Sequence, residues 1–334
     1  MTDFFEKIVD EFGEGILVKD DERIETISTG SLSLDASIGV GGIPKGRFTE
    51  IYGPEGSGKT TLALTIAKNA IKENIKVFYI DVENMLDYEV VRTVLGIELP
   101  EEMFSLSHPN TAEDSFVLAE KAIESNDFGV IIFDSIGALA PEKEKEDDFG
   151  DANVALVPRL MSKFLRRSSY HIRKNKVAFV FINQVRDTIG SYVQSYATPG
   201  GHALKHFVSL IIALTRGQEI KAGDIPVGLN IKFVIKKNKM SAPFRSFTVP
   251  LFFGKGIDEP RDLVLFSEML GILKKRGSYY VFEGETIGQG VVKTCEYLET
   301  HKETIDKIKK LVYNMVNKIA PTEEKEPNEQ NTES

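Results

Sequence analysis

Residues 53–60 read Gly53-Pro54-Glu55-Gly56-Ser57-Gly58-Lys59-Thr60. This is G-x-x-x-x-G-K-[ST], a loop whose backbone N–H groups can turn inward on a phosphate at the start of a helix. Lys59 would neutralise the β and γ oxygens, and the Thr60 hydroxyl would ligate Mg²⁺. The competing reading is a chance glycine-rich turn, which average residue usage produces in about 2% of chains this long. Context favours the cradle. Arg47-Phe-Thr-Glu-Ile-Tyr52 alternates like a strand before the loop, and Lys59 to Lys72 has helical periodicity after it.

A phosphate cradle of this kind needs a carboxylate near the metal. Asp134 closes the apolar run Val130-Ile-Ile-Phe133, where such a group belongs. The alternative is an Asp that merely caps a loop. Hydrolysis also needs a group that orients or deprotonates water. Glu83, just past the strand Val77 to Ile80, and Asp81, two residues earlier, both qualify, and spacing does not separate them.

Around these motifs, apolar runs alternate with helical stretches. Lys76–Ile80, Gly129–Phe133, Lys176–Ile182, Phe207–Leu214 and Leu229–Ile235 read as strands. Thr111–Glu124 reads as a helix capped by Thr111, and 153–174 reads as a helix in spite of Pro158. Strands that are apolar throughout predict a mainly parallel sheet covered on both faces. From Gly256 the pattern changes to short helices and a hairpin near Gly277–Glu285, with a helix over 300–318. At the other end, Phe4, Phe5, Ile8, Val9 and Phe12 recur at helical spacing.

The chain has 334 residues, 42% hydrophobic and 27% charged, which excludes a fibrous or wholly disordered protein. The longest apolar run is too short to span a bilayer. The N-terminus has no basic-then-apolar leader, so no secretory signal is expected. One cysteine, Cys295, cannot form an internal disulfide and suits a reducing compartment. The net charge of −9 speaks against a nonspecific polyanion binder, but the charge is unevenly placed. Residues 159–176 hold seven Lys or Arg and no acid, while 321–334 hold five Glu and one Lys. Arg159, Lys163, Arg166 and Lys174 fall on one helical stripe. A solvated helix face explains such a stripe as readily as phosphate contacts do. The tail after Pro321 is expected to be disordered and to compete with a polyanion for the basic surface.

The segments ETISTGSLSLD (25–35), EIYGPEGSGKTTL (50–62), IDVENMLD (80–87), FDSIGAL (133–139), FINQVR (181–186), GGHALK (200–205), KNKMSAPF (237–244) and IGQG (287–290) resemble, in order and spacing, the bacterial RecA recombinase family. The resemblance covers nearly the whole chain. It implies an α/β fold: a P-loop NTPase core with a mainly parallel sheet, a short N-terminal helix and a small α+β C-terminal domain. The expected division is 1–25 as an arm for protomer packing, 26–255 as the core, 256–320 as the C-terminal domain and 321–334 as an acidic tail. DNA-binding loops are expected near 147–155 and 187–199.

Carried over by position, the resemblance makes Glu83 the water-activating glutamate in preference to Asp81. It makes Asp134 the metal-supporting aspartate with Thr60, and Gln184 the sensor of the γ-phosphate. Gly53, Pro54, Glu55, Gly56, Ser57, Gly58, Lys59, Thr60, Thr61 and Asp87 would bind ATP, with Asp87 at the adenine. Lys237 and Lys239 would reach the ATP of the neighbouring protomer. Arg159, Ser162, Arg166, Arg186, Gly200 and Gly201 would contact DNA. The implied cofactors are ATP and Mg²⁺. The implied partners are single- and double-stranded DNA, further copies in a helical filament and a repressor protein, in the cytoplasm and away from membranes.

The chain also departs from the family. Val90 replaces an adenine-stacking tyrosine, His206 replaces an interface phenylalanine, and Asp187 and Thr188 open a second loop one residue short. These changes mark a divergent member, as a phage-encoded copy would be. The implied activity is ATP-dependent homologous pairing and strand exchange on single-stranded DNA. Two alternatives share the core: a ring helicase, against which the Lys237–Lys239 pair and the IGQG segment argue, and an ATP-switched scaffold without DNA binding, against which the basic segment argues.

Overall fold

The computed structural model describes residues 6–7, 10–11, 24–96, 100, 102–146, 156–185, 201–243 and 245–319. The Phe4, Phe5, Ile8, Val9 and Phe12 face of the expected N-terminal helix, both expected DNA loops, Arg186, Gly200 and the expected acidic tail lie outside the described residues.

The strands are β1 (Thr26–Ile27), β2 (Ile43–Pro44), β3 (Arg47–Gly53), β4 (Val77–Asp81), β5 (Phe104–Ser107), β6 (Val130–Asp134), β7 (Ala178–Gln184), β8 (Leu210–Ala222), β9 (Ile225–Asn238), β10 (Ser246–Phe252), β11 (Gly256–Ile257), β12 (Lys274–Arg276), β13 (Tyr279–Phe282) and β14 (Glu285–Gln289). The helices are α1 (Leu32–Ile38), α2 (Lys59–Lys72), α3 (Tyr88–Leu95), α4 (Ala112–Ser125), α5 (Glu142–Glu146), α6 (Leu156–Lys174), α7 (Gly201–Phe207), α8 (Glu259–Met269), α9 (Gly290–Thr300) and α10 (Lys302–Ile319).

A nine-stranded sheet has the order β11-β10-β9-β8-β3-β7-β6-β4-β5. From β8 to β5 every pairing is parallel, and from β8 to β11 every pairing is antiparallel. The sheet is therefore mixed, since tight connections suffice for the antiparallel flank while the parallel strands need helical crossovers. Two cores cover its faces. Leu62, Ile66, Val180 and Ile212 belong to one; Phe48, Phe116, Phe164, Phe179 and Phe181 belong to the other. In the second, Phe164 of α6 lies 5.2 Å from the ring of Phe116 and 5.6 Å from that of Phe179, so the basic helix is anchored by an aromatic cluster.

One expectation is corrected. The run from Phe207 to Leu214 is not one strand: α7 ends at Phe207 and β8 begins at Leu210, and since Phe207, Val208 and Leu210 are all apolar the local pattern does not mark the boundary. The helix read over 153–174 is described from Leu156, with Pro158 in its first turn, where its missing N–H leaves no bond unmade.

The small α+β C-terminal domain holds the three-stranded sheet β12-β13-β14 with α8, α9 and α10. It is clasped to α1 by one buried carboxylate. Asp262 accepts from Ser31 Oγ at 2.9 Å, Ser33 N at 3.0 Å and Ser33 Oγ at 2.6 Å. Among the described residues no helix is long and apolar enough to cross a membrane.

Candidate active site

The loop 53–60 joins the carboxyl end of β3, the central strand of the nine, to the first turn of α2. Crevices at that edge of an open α/β sheet are where ligands bind. Two glycines show why the sequence is so restricted. A Cβ on Gly53 would stand 2.4 Å from the Leu214 carbonyl oxygen, and Gly58 has φ +84° with Ile231 Cδ1 2.4 Å from where a Cβ would lie. Neither position accepts a side chain without displacing a neighbour.

Lys59 is buried and donates from Nζ to the Pro54 carbonyl at 2.8 Å, which holds the ammonium inside the loop. Burial pulls its pKa down; Asp134, Glu83 and Glu55 oppose that. Thr60 Oγ1 donates to Asp134 Oδ2 at 2.9 Å, so the two expected metal-side oxygens are already adjacent. A hydroxyl and a carboxylate are the hard oxygen donors that suit Mg²⁺, which is normally held by one or two protein groups together with phosphate and water. No cluster of three His, Cys, Asp or Glu able to hold a metal occurs among the described residues.

Asp134 receives a second hydrogen bond, 2.6 Å long, from the hydroxyl of Tyr79. Burial lifts its carboxyl to about 6, against the Tyr79 and Thr60 bonds. Burial also drives the Tyr79 hydroxyl well above its ordinary value.

The two acids left unresolved by spacing have different surroundings. Asp81 is buried and accepts from the backbone N–H groups of Glu83, Met85 and Leu86 at 3.1, 2.8 and 2.8 Å. It is committed to shaping the turn after β4. Glu83 is half-buried, and its Oε1 accepts from Ser135 Oγ at 2.5 Å and from Gln184 Nε2 at 2.8 Å. Glu83, Gln184, Lys59, Thr60 and Asp134 thus gather at the ends of neighbouring strands.

Other expected residues lie apart from this cluster. Asp87 is exposed and caps α3, accepting from Val90 N at 2.8 Å. Lys237 and Lys239 lie on the antiparallel flank, donating to the Lys205 and His206 carbonyls of α7 at 2.5 and 3.3 Å. Arg159, Lys163, Arg166 and Lys174 are exposed along α6, while Met161, Phe164, Leu165 and Ile172 are buried beneath them. Ser162 is half-buried and bonds back to the Pro158 carbonyl. Gly201 opens α7 with φ +70°; a Cβ there would lie 3.5 Å from Pro158 Cβ, so it is next to the first turn of α6.

Sequence reasoning missed Tyr79, Ser135, Asn183 and Glu50, all buried and all touching or adjoining the cluster. The first had a signal: a tyrosine in an otherwise apolar strand needs a partner for its hydroxyl when buried. Asn183 and Glu50, polar residues inside apolar strands, carried the same signal.

A model of the RecA N-terminal domain matches residues 1–258 and a model of the RecA C-terminal domain matches residues 262–317. Protein RecA of Lactobacillus johnsonii is 39% identical over 311 residues, covering 92% of this chain and 86% of the relative. That of Thermus aquaticus is 39% identical over 315 residues, covering 92% of both. That of Bacillus subtilis is 37% identical over 302 residues, covering 89% of this chain and 86% of the relative. A crystal structure of the RadB recombinase matches in fold with a TM-score of 0.53 at 23% identity, over 70% of this chain and 98% of that one. With both domain models matched in order and full-length relatives aligned over most of the chain, the protein belongs to the RecA family.

Proposed function

We propose that the protein is an ATP-dependent DNA recombinase, a DNA-stimulated ATPase that assembles head to tail on single-stranded DNA and promotes homologous pairing and strand exchange. The observation that carries this reading is the convergence of Glu83, Ser135 and Gln184 with Lys59, Thr60 and Asp134. Gly53 to Thr61 hold the phosphates, and Lys59 leaves the Pro54 carbonyl for the β and γ oxygens. Thr60 and Asp134 would hold Mg²⁺, which would supply charge neutralisation.

Glu83 orients the attacking water and takes its proton. Gln184 can give its amide hydrogens to Glu83 or to a γ-phosphate. When it turns to the phosphate it releases one acceptor site on Glu83, so sensing and activation are exchanged through one contact. Asp87 faces the adenine beside Val90, and the aliphatic side chain there relaxes base selectivity.

Lys237 and Lys239 leave α7 to meet the nucleotide of the adjoining protomer, which makes filament assembly depend on nucleotide. A head-to-tail contact that does not close on itself gives a helix. The segment 1–25 supplies the arm, 26–255 the core, 256–320 the C-terminal domain and 321–334 the acidic tail. Arg159, Ser162, Arg166 and Gly201, with Arg186 and Gly200, grip DNA backbones. Such contacts are blind to sequence and weaken with salt. Sequence recognition is left to base pairing. The reading places the protein in the cytoplasm, with double-stranded DNA as the second substrate and a repressor protein as a further partner of the filament.

The test is Lys59→Ala assayed for strand exchange and for ATPase activity with and without single-stranded DNA. Loss of both is expected. Wild-type pairing of homologous DNA with ATP would refute the phosphate assignment.

A further inference from the structure

The nucleotide-reading end of β7 and the lysine flank of β9 are separated by β3 and β8, and one buried carboxylate lies between them. Glu50, in β3, is 1% exposed. It accepts at Oε1 from Asn183 Nδ2 at 2.9 Å, and Asn183 Oδ1 in turn accepts from the backbone N–H of Gln184 at 3.0 Å. On its other side Glu50 pairs with Ile211 of β8, and Ile211 pairs with Lys237 of β9. Residues paired across neighbouring strands share a face. That face is the one α7 covers, since Leu204 and Ile211 lie in the same core.

Lys205 and Lys237 are the cations that attract Glu50, and they work against the burial that raises its carboxyl. Lys237 is held on the Lys205 carbonyl and Lys239 on the His206 carbonyl, at the end of α7. A neutral amide at position 50 would meet the Asn183 amide as well as a carboxylate does. A charge so deeply buried is costly without an opposite charge to answer it. Lys205 on α7 and Lys237 on β9 supply that opposite charge.

We infer that Glu50 is a positioning residue that ties the Asn183–Gln184 strand end to Lys205 and Lys237, and so to α7, so that the nucleotide state read at Gln184 reaches the DNA contact proposed at Gly201. This rests on the roles proposed above for Gln184 and Lys237.

The experiment compares Glu50→Gln, which keeps volume and an acceptor but removes the charge, with Glu50→Asp, which keeps the charge. The readout is the ratio of the single-stranded DNA Kd with ADP to that with a non-hydrolysable ATP analogue, alongside nucleotide affinity and melting temperature. E50Q is expected to bind nucleotide as the wild type does while the ratio falls about tenfold, within the usual range of coupling between sites. E50D is expected to keep most of the ratio. In a Lys205→Gln background, E50Q should change the ratio less than about twofold.

A wild-type ratio in E50Q, equal losses in E50Q and E50D, or independent losses in the double variant would overturn the inference. Should E50Q not fold, E50D and the surface variant K205Q decide: a ratio retained in E50D and lost in K205Q supports it, and equal losses overturn it. A wild-type protein with no nucleotide effect on DNA affinity removes the parent reading and this inference together. A failure confined to the Glu50 variants leaves the parent reading standing.

Discussion

Replacing Tyr79 by Phe removes one hydroxyl and little else. Tyr79 is fully buried, and its hydroxyl donates to Asp134 Oδ2 at 2.6 Å. A hydrogen bond to a charged group is worth about 1.5–3 kcal/mol, which corresponds to about one or two pKa units. Asp134 already lies at about 6 because burial disfavours its charge. Without Tyr79 it should rise to about 7–8. At pH 7 the ionised fraction would then fall from about nine-tenths to between about half and a tenth. A raised carboxyl is charged only at higher pH. The Mg²⁺-dependent part of ATP affinity should therefore be about two- to tenfold weaker at pH 7 and recover by about pH 9. The assay is the Kd of a fluorescent ATP analogue, with and without Mg²⁺, from pH 6 to 9, on protein whose melting is checked in parallel. A variant whose Mg²⁺-dependent affinity follows the wild-type pH curve would refute the reasoning, either because the bond does not support the carboxylate or because Asp134 does not serve the ion.

Glu83→Gln should retain nucleotide binding and lose about a hundredfold or more in DNA-stimulated turnover, measured by steady-state phosphate release. Asp81→Ala should instead loosen the turn that Glu83, Met85 and Leu86 make on its carboxylate, lowering melting temperature as well as activity. Asp35 is wholly buried, and burial lifts its carboxyl from the ordinary 3.8 to about 7. The folded state thus holds a proton that the unfolded state has lost. Stability should fall as pH rises from about 4 to 7, by up to about 4 kcal/mol, and stay level above. Asp35→Asn should flatten that slope in denaturant titrations at pH 5 and pH 8, and an unchanged slope would dismiss the account. Phe164→Ala, which hollows out the aromatic cluster beneath α6, should cost about 3–5 kcal/mol in urea unfolding and weaken DNA binding with it.

The parallel half of the sheet was legible because its strands are short, apolar and separated by helical spacing. β3, α2, β4, β6 and β7 lie within two residues of where their periodicity puts them. The antiparallel flank was harder. In the run from Phe207 to Leu214, helix end and strand start are both apolar, and local pattern has no term that tells them apart. Register across β8 and β9, with its bulges, depends on contacts between distant residues.

The site divides in the same way. The phosphate loop and Asp134 were readable because their function depends on local chain geometry: a turn that only glycine tolerates, then a helix, and a polar residue at a strand end. Asp81 and Glu83 were not separable from spacing, being two residues apart on the same segment. Folding gives them different surroundings, by bringing Ser135 and Gln184 to one and the following turn to the other. What the order of residues determined alone was family, layer architecture and phosphate chemistry, all set by near neighbours in the chain. What tertiary structure decided was which polar groups meet. Glu50 and Asn183 are 133 positions apart, and Tyr79 and Asp134 are 55 apart. Pairings over such separations arise only when the sheet lays strand beside strand.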